Sequence, residues 1–179
     1  MLQVIEAQVA DLDVKLAYIR DFLRQGCRDP ECRTLAANIL REAGPYQVSA
    51  RDPWSVATAL YRWVQRNVPF ERDPLTGEVL DLGGMRVKGP LDLIQNPAAT
   101  LARGRGDCVA LTILLGGLVC AAGLPIQIGL QDMAGGGIDH LFLLMGLPTV
   151  APQEWLPLDL TADGPGVYRP GGQASMVAA

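Results

Sequence analysis

At 179 residues the chain is long enough for one domain with a small extension, and its 49% apolar content is ample for a core. A net charge of −4 and a pI of about 4.9 leave no basic surface suited to nucleic acid, so that class of partner is excluded. Four cysteines are too few for a dense disulfide framework, and the N-terminus does not have the pattern of a signal peptide. We therefore predict a reducing, cytoplasmic setting.

Two helices are predicted before residue 50, as an N-terminal extension over residues 1–50. In the first, residues 2–24, apolar residues alternate at spacings of four and three: Ile5, Val9, Leu12, Leu16, Ile19 and Leu23. Such a stripe suits a helix packed on its own domain, and it could instead pair with a second copy of the chain or with a partner helix. Asp29-Pro30 provides an N-cap and a first-turn proline for the second helix, which is predicted to run to about Ala43.

Cys27 and Cys32 lie close together where the second helix begins. Their spacing would allow a disulfide or half of a metal site. The chain has no second cysteine pair of this kind, and its single histidine lies far along the sequence, so a zinc site is not expected. We predict two unconnected thiols and no metal.

Asp52-Pro53 repeats the capping pattern and predicts a third helix over residues 53–66. The following residues, 74–93, contain glycines and charges of both signs. They are predicted to form a long surface loop that could include a short hairpin and border a substrate groove.

The segment Ala102–Cys108 leads into a long apolar run. Its glycines allow a tight loop, and Asp107 can cap the helix that follows. Cys108 would then lie in the first turn, where the helix dipole favours the thiolate form of cysteine. The uncharged run from Val109 to Leu130 is long enough to span a membrane, but glycines and Pro125 interrupt it. We predict a buried helix followed by a strand, and no membrane span.

Three strands are predicted after this helix, over residues 125–131, 139–146 and 154–160. His140, the sole histidine, lies at the start of the second strand, and Asp159 lies at the end of the third. The glycines at 135–137 could form a flap or a plain hairpin connection. Residues 163–179 are rich in Gly, Pro and Ala and are predicted to be a flexible tail.

This ordered set of residues resembles the transglutaminase-like superfamily of papain-type cysteine enzymes. The matching features are Gly106-Asp107-Cys108 before a long apolar helix, Gly123-Leu124-Pro125 after it, His140 before an apolar strand, and Trp155-x-x-Leu158-Asp159. The resemblance covers residues 53–162 and implies a core domain over 51–162. It implies an α+β fold in which N-terminal helices and a buried, nucleophile-bearing helix pack on a small antiparallel sheet.

In such a family Cys108 would be the nucleophile, His140 the base and Asp159 the residue that orients the base. Gln95, Asp107 and Trp155 would bind the oxyanion or the substrate. The segment from Gln95 to Leu101 is similar to bacterial and phage-encoded members, whereas Val109 and Ala110 replace acidic residues that often follow Asp-Cys. Cys120 is not expected to be a nucleophile because it lies in the middle of a helix in apolar surroundings. Asp139 is an alternative to Asp159 as the residue that orients His140, but neighbouring strand residues point to opposite faces of a sheet.

Two functions are therefore considered. The first is an enzyme that cleaves or transfers at amide bonds of a protein or peptide substrate, without a cofactor. The second is a non-catalytic or virion-associated interaction module with the same fold, which contacts a second copy or a partner helix through residues 2–24.

Overall fold

The computed structural model describes residues 4–7, 12–44, 48–49, 52–73, 79–82, 85–88, 92–133, 139–162, 164–165 and 174–179. Within these ranges the chain is α+β, as predicted, with five helices, one small four-stranded antiparallel sheet and two pairs of antiparallel strands. The helices are α1 (Leu12–Arg28), α2 (Pro30–Ala43), α3 (Pro53–Asn67), α4 (Pro97–Arg103) and α5 (Cys108–Ala121). The strands are β1 (Val4–Ala7), β2 (Val79–Leu82), β3 (Met85–Lys88), β4 (Asp92–Gln95), β5 (Ile126–Gln131), β6 (His140–Leu147), β7 (Glu154–Leu158) and β8 (Ala174–Ala178).

Helix α5 is the centre of the core. Its sequence is apolar on all sides, so no face of it suits water, and residues 109–119 are all buried. The other helices pack around it. On the remaining side lies the four-stranded sheet, in the order β7-β6-β5-β8, and all its neighbouring strands are antiparallel. Leu141, Leu143 and Met145 alternate along β6 and join the apolar clusters that α5 forms with the other helices.

The helix starts follow the local sequence. Asp29 accepts a hydrogen bond from the Glu31 amide at 2.9 Å, and Asp52 accepts one from the Trp54 amide at 3.1 Å. Each cap is followed by a proline in the first turn, as predicted. The predicted second and third helices are confirmed to within a residue or two.

The prediction for the first helix is wrong at its start. Residues 4–7 form β1 and pair antiparallel with β4, with Val4 opposite Gln95, and α1 begins only at Leu12. The spacing of apolar residues is satisfied by the helix from Leu12 onward, where Leu16, Ile19, Phe22 and Leu23 are buried in the core. The apolar stripe of α1 therefore packs on the chain's own core.

Two segments contain strands that were not predicted. Within residues 74–93, β2 and β3 form the short hairpin that the sequence allowed, but Asp92 also begins β4, which pairs with β1. Within the predicted flexible tail, β8 pairs with β5, with Gln127 opposite Ala178. β4 forms backbone hydrogen bonds with β1, and β8 forms them with β5. Both partners are distant in the sequence, so the local sequences of β4 and β8 do not predict these strands. The glycines at 135–137 lie outside the described residues.

The prediction of two unconnected thiols is wrong for Cys27, which forms a disulfide with Cys120. Helices α1 and α5 approach closely here, and the approach depends on glycine: a Cβ atom on Gly26 would lie only 2.9 Å from the Cα of Gly117. Cys32 is a buried free thiol. Disulfides persist mainly in oxidising compartments, so this bond counts against the predicted cytoplasmic setting.

None of the helices in the described ranges has both the length and the apolar character that a bilayer crossing would require.

Candidate active site

The loop before Cys108 is held by a neighbouring extended segment. Helix α4 ends at Gly104, whose φ of 70° lies in the left-handed region that glycine adopts readily. The Glu71 amide donates to the Gly106 carbonyl at 2.8 Å, and the Gly106 amide donates to the Pro69 carbonyl at 3.3 Å. The carboxylate of Glu71 also binds Arg103 and Arg105, at 2.5 and 2.9 Å. These contacts fix the chain just before the cysteine.

Asp107 is the N-cap of α5, as predicted. Its side chain accepts a hydrogen bond from the Ala110 amide at 2.8 Å, and Cys108 is the first residue of the helix. The nucleophile predicted from the sequence is thus held at the start of a buried, rigid helix.

The acidity of Cys108 differs from the prediction. Burial, and then the carboxylate of Asp107, raise the pKa of the Cys108 thiol to about 12. The backbone amides of Leu141 and Val109 and the ammonium of Lys15 act in the opposite direction without offsetting this rise. Desolvation and the Asp107 charge outweigh these contributions, so the thiol is protonated near neutral pH.

His140 and Asp159 form a buried pair. They lie on the neighbouring strands β6 and β7 or directly beyond them, and His140 Nε2 is 2.8 Å from Asp159 Oδ2. The backbone amide and the hydroxyl of Thr161 donate to the other carboxylate oxygen, at 2.9 and 2.7 Å. The hydroxyl of Tyr61 donates to the Asp159 carbonyl at 2.9 Å, which anchors this corner of the chain to α3.

These hydrogen bonds lower the pKa of the Asp159 carboxyl. Burial acts to raise the pKa of its carboxyl, but the hydrogen bonds from His140 and Thr161 outweigh burial, so that the pKa lies below its ordinary value. Because the ionised Asp159 carboxylate accepts a hydrogen bond from Nε2, it favours the His140 tautomer in which Nε2 is protonated. The other ring nitrogen, Nδ1, is then the one that can accept a proton.

Cys108 and His140 line one cavity of about 140 Å³. Leu12, Lys15, Leu16 and Ile19 of α1 form another wall of it. Within the described part of the chain, the Cys108 sulfur and the His140 ring make no hydrogen bond with each other. The ring of His140 stacks on Phe142, with centroids 5.8 Å apart, which restrains its orientation. The structure therefore brings the three predicted residues to one region, with a direct contact between the histidine and the aspartate.

The other predicted site residues are more scattered. Asp107 lines the cavity, but Gln95 and Trp155 do not. Gln95 lies at the end of β4 with 1% of its surface exposed, and its amide atoms have no hydrogen-bond partner among the described residues. Trp155 lies opposite Gly146 on β6, against which its ring packs. Asp139 lines the cavity and accepts a hydrogen bond from the Met133 amide at 2.7 Å.

Three residues near the site were not predicted from the sequence. Lys15 reaches the cavity from α1, and Thr112 donates from α5 to the Leu141 carbonyl at 3.3 Å. Gln131, 1% exposed, is the cross-strand neighbour of His140. The sequence holds a signal for Thr112, which is the one hydroxyl in an apolar helix. Gln131 does not stand out, because it and Gln127 are the polar positions of an alternating strand. Lys15 gives no such signal, since lysine is common on exposed helix faces.

No group of three or more His, Cys, Asp or Glu residues that could hold a metal occurs in the part of the chain that the structure describes.

Neither a protein-family model nor a curated protein matches this sequence. Solved structures do resemble the fold. For a candidate cysteine protease from Cytophaga hutchinsonii the TM-score is 0.53 at 17% identity, over 99% of this chain and 58% of that one. A candidate protease from Parabacteroides distasonis has a TM-score of 0.48 at 11% identity, over 90% of this chain and 30% of that one. The chain thus spans little more than half of the first protein and shares its fold over that length.

Proposed function

We propose that this chain is a transglutaminase-like cysteine enzyme that cleaves or transfers at amide bonds, with Cys108, His140 and Asp159 as its triad. The observation that supports this proposal is the buried His140–Asp159 pair, which adjoins the same cavity as a cysteine at the start of a helix. A nucleophile, a base and a residue that orients the base are the three parts that covalent acyl transfer requires.

In the proposed reaction the Cys108 sulfur attacks the carbonyl carbon of a peptide or amide. Because the resting thiol is protonated, the attack is coupled to proton transfer to Nδ1 of His140. Asp159 stabilises the resulting imidazolium through Nε2. The imidazolium then protonates the leaving amine and a thioester forms, which water or a second amine converts to product.

The tetrahedral intermediate needs donors for its oxyanion. The backbone amide of Cys108, at the start of α5, is one candidate, since the first amides of a helix have no partner within the helix. Gln95 remains a candidate for the second donor, because its buried amide group has no hydrogen-bond partner among the described residues. It does not line the cavity, so this role requires a change of its position when the substrate binds.

The test is the reactivity of the two free thiols together with hydrolysis of a protein substrate. Iodoacetamide labelling followed by mass spectrometry should modify Cys108 faster than Cys32, which is 2% exposed and serves as an internal reference. His140→Ala should slow the labelling of Cys108 and leave that of Cys32 unchanged. Casein cleavage should be lost in Cys108→Ala and retained in Cys32→Ala. Cleavage that survives in Cys108→Ala would refute the proposal.

A second candidate is a non-catalytic interaction module with the same fold. It is favoured by the raised pKa of Cys108 and by the small cavity, one wall of which is formed by α1. On this alternative, labelling of Cys108 would be as slow as that of Cys32 and would not respond to His140→Ala.

A further inference from the structure

A second concave site lies between α2 and α3, away from the cavity at Cys108. It is a cleft of about 520 Å³, which is within the range of small-molecule sites in proteins, and it shares no lining residue with that cavity. The α3 side of the cleft follows a helical stripe in which Ser55, Thr58, Arg62 and Arg66 recur every three or four residues. Ile39 and Glu42 of α2 line the opposite side.

The two arginines are the first unusual feature of this cleft. Arg62 and Arg66 lie one helical turn apart on the same side of α3, an arrangement in which like charges repel each other and weaken the helix. Neither guanidinium has an ion pair, a hydrogen bond or a ring contact within the described ranges. Two unpaired cations thus lie together on a chain whose net charge is −4. An anion bound between them would remove the repulsion.

The hydroxyl of Thr58 is the second unusual feature. Thr58 lines the same cleft, and its Oγ1 is buried with no hydrogen-bond partner among the described residues. A helical threonine commonly donates to a backbone carbonyl one turn earlier, and a buried hydroxyl without a partner is unfavourable. A ligand atom that accepts a hydrogen bond would satisfy this group.

Two indole rings complete the cleft. Trp54 and Trp63 both line it and both are half-buried, so part of each ring is available for contact. A planar ligand ring can pack against tryptophan, and aromatic contacts add to the energy of the buried area. Cations, a buried hydroxyl and indole surface therefore converge in one concave site.

We propose that this cleft binds a small organic anion, a carboxylate or a phosphate monoester carried on a planar ring. The guanidiniums of Arg62 and Arg66 pair with the anionic group, Thr58 donates to it, and the ring packs on Trp54 or Trp63. Arginine suits this role because its planar fork of donors matches carboxylate and phosphate oxygens. The site is independent of the proposed chemistry at Cys108.

The test is a titration with phenyl phosphate and with benzoate, monitored by tryptophan fluorescence. Trp54 and Trp63 are two of the three tryptophans, so the tryptophan emission should change as ligand is added and level off when the cleft is full. The change should persist in Trp155→Phe, which removes the tryptophan outside the cleft. The double variant Arg62→Ala/Arg66→Ala should bind about tenfold more weakly or worse, since two charge-assisted contacts are lost.

The matched control is Arg24→Ala/Arg33→Ala, which removes two exposed arginines from α1 and α2 outside the cleft and should bind like the wild type. Thr58→Val should weaken binding without lowering the melting temperature, which separates loss of a ligand contact from loss of fold. Inorganic phosphate or phenol that binds as tightly as phenyl phosphate would overturn the proposed ligand class. Equal weakening in the two double variants, or no saturable signal with either probe, would overturn the site.

Discussion

The carboxylate of Asp107 raises the pKa of the Cys108 thiol, and Asp107→Asn should make this thiol more reactive. Asparagine caps a helix about as well as aspartate, so the hydrogen bond to the Ala110 amide can be kept while the charge is removed. After burial, this carboxylate is the largest cause of the raised pKa of the thiol. The substitution therefore isolates the electrostatic effect from the structural one.

The size of the effect follows from Coulomb's law. For two neighbouring side-chain charges about 6 Å apart in an effective dielectric of about 20 to 40, the repulsion is roughly 1.5–3 kcal/mol. This corresponds to a fall in the Cys108 pKa of roughly one to two units, or about 10 to 100 times more thiolate at a given pH. A thiolate of lower pKa is a weaker nucleophile, so the net gain in alkylation rate is about three- to tenfold.

The assay is the second-order rate of iodoacetamide labelling between pH 7 and 9, in a Cys32→Ser background in which Cys108 is the free thiol. Asp52→Asn is the matched control, because it makes the same change at the N-cap of α3. Both substitutions should lower the melting temperature slightly through the loss of a charge at a helix start. An unchanged Cys108 rate in Asp107→Asn, with its melting temperature close to that of the control, would refute this electrostatic account.

Three further outcomes are expected. Lys15→Met should slow the alkylation of Cys108 severalfold and Lys15→Arg should not, because this ammonium lowers the pKa of the thiol; equal rates in the two variants would contradict such a role. The folded-state pKa of Asp159 lies below its ordinary value of 3.8, so its contribution to stability is present above that pH and is lost as the pH falls through the folded-state pKa. The destabilisation by Asp159→Asn, measured by urea unfolding, should be greatest near pH 7 and shrink below pH 4; a constant difference would count against this linkage. Reduction of the Cys27–Cys120 disulfide, which spans 93 residues, should lower the free energy of unfolding by about 2–5 kcal/mol, and no change in the urea midpoint on reduction would argue against the bond.

The sequence alone determined the features that depend on neighbouring residues. Asp29, Asp52 and Asp107 each cap a helix because a short acidic side chain reaches the amides two or three residues further along. The uncharged run after Cys108 predicted a buried helix, the alternation of apolar residues with Gln127 and Gln131 predicted β5, and the short apolar run after His140 predicted β6. The α+β class and the order of the candidate cysteine, histidine and aspartate followed from these local signals.

The tertiary structure decided what depends on partners distant in the sequence. Strands β1 and β8 exist because β4 and β5 offer them backbone hydrogen bonds, and Cys27 meets Cys120 because two helices cross at glycines. The acidity of Cys108 was decided in the same way. The sequence showed the helix dipole that favours the thiolate, but only the packed structure showed the burial that opposes it. Desolvation acts through the surrounding atoms, and these come from α1, α5 and β6 together.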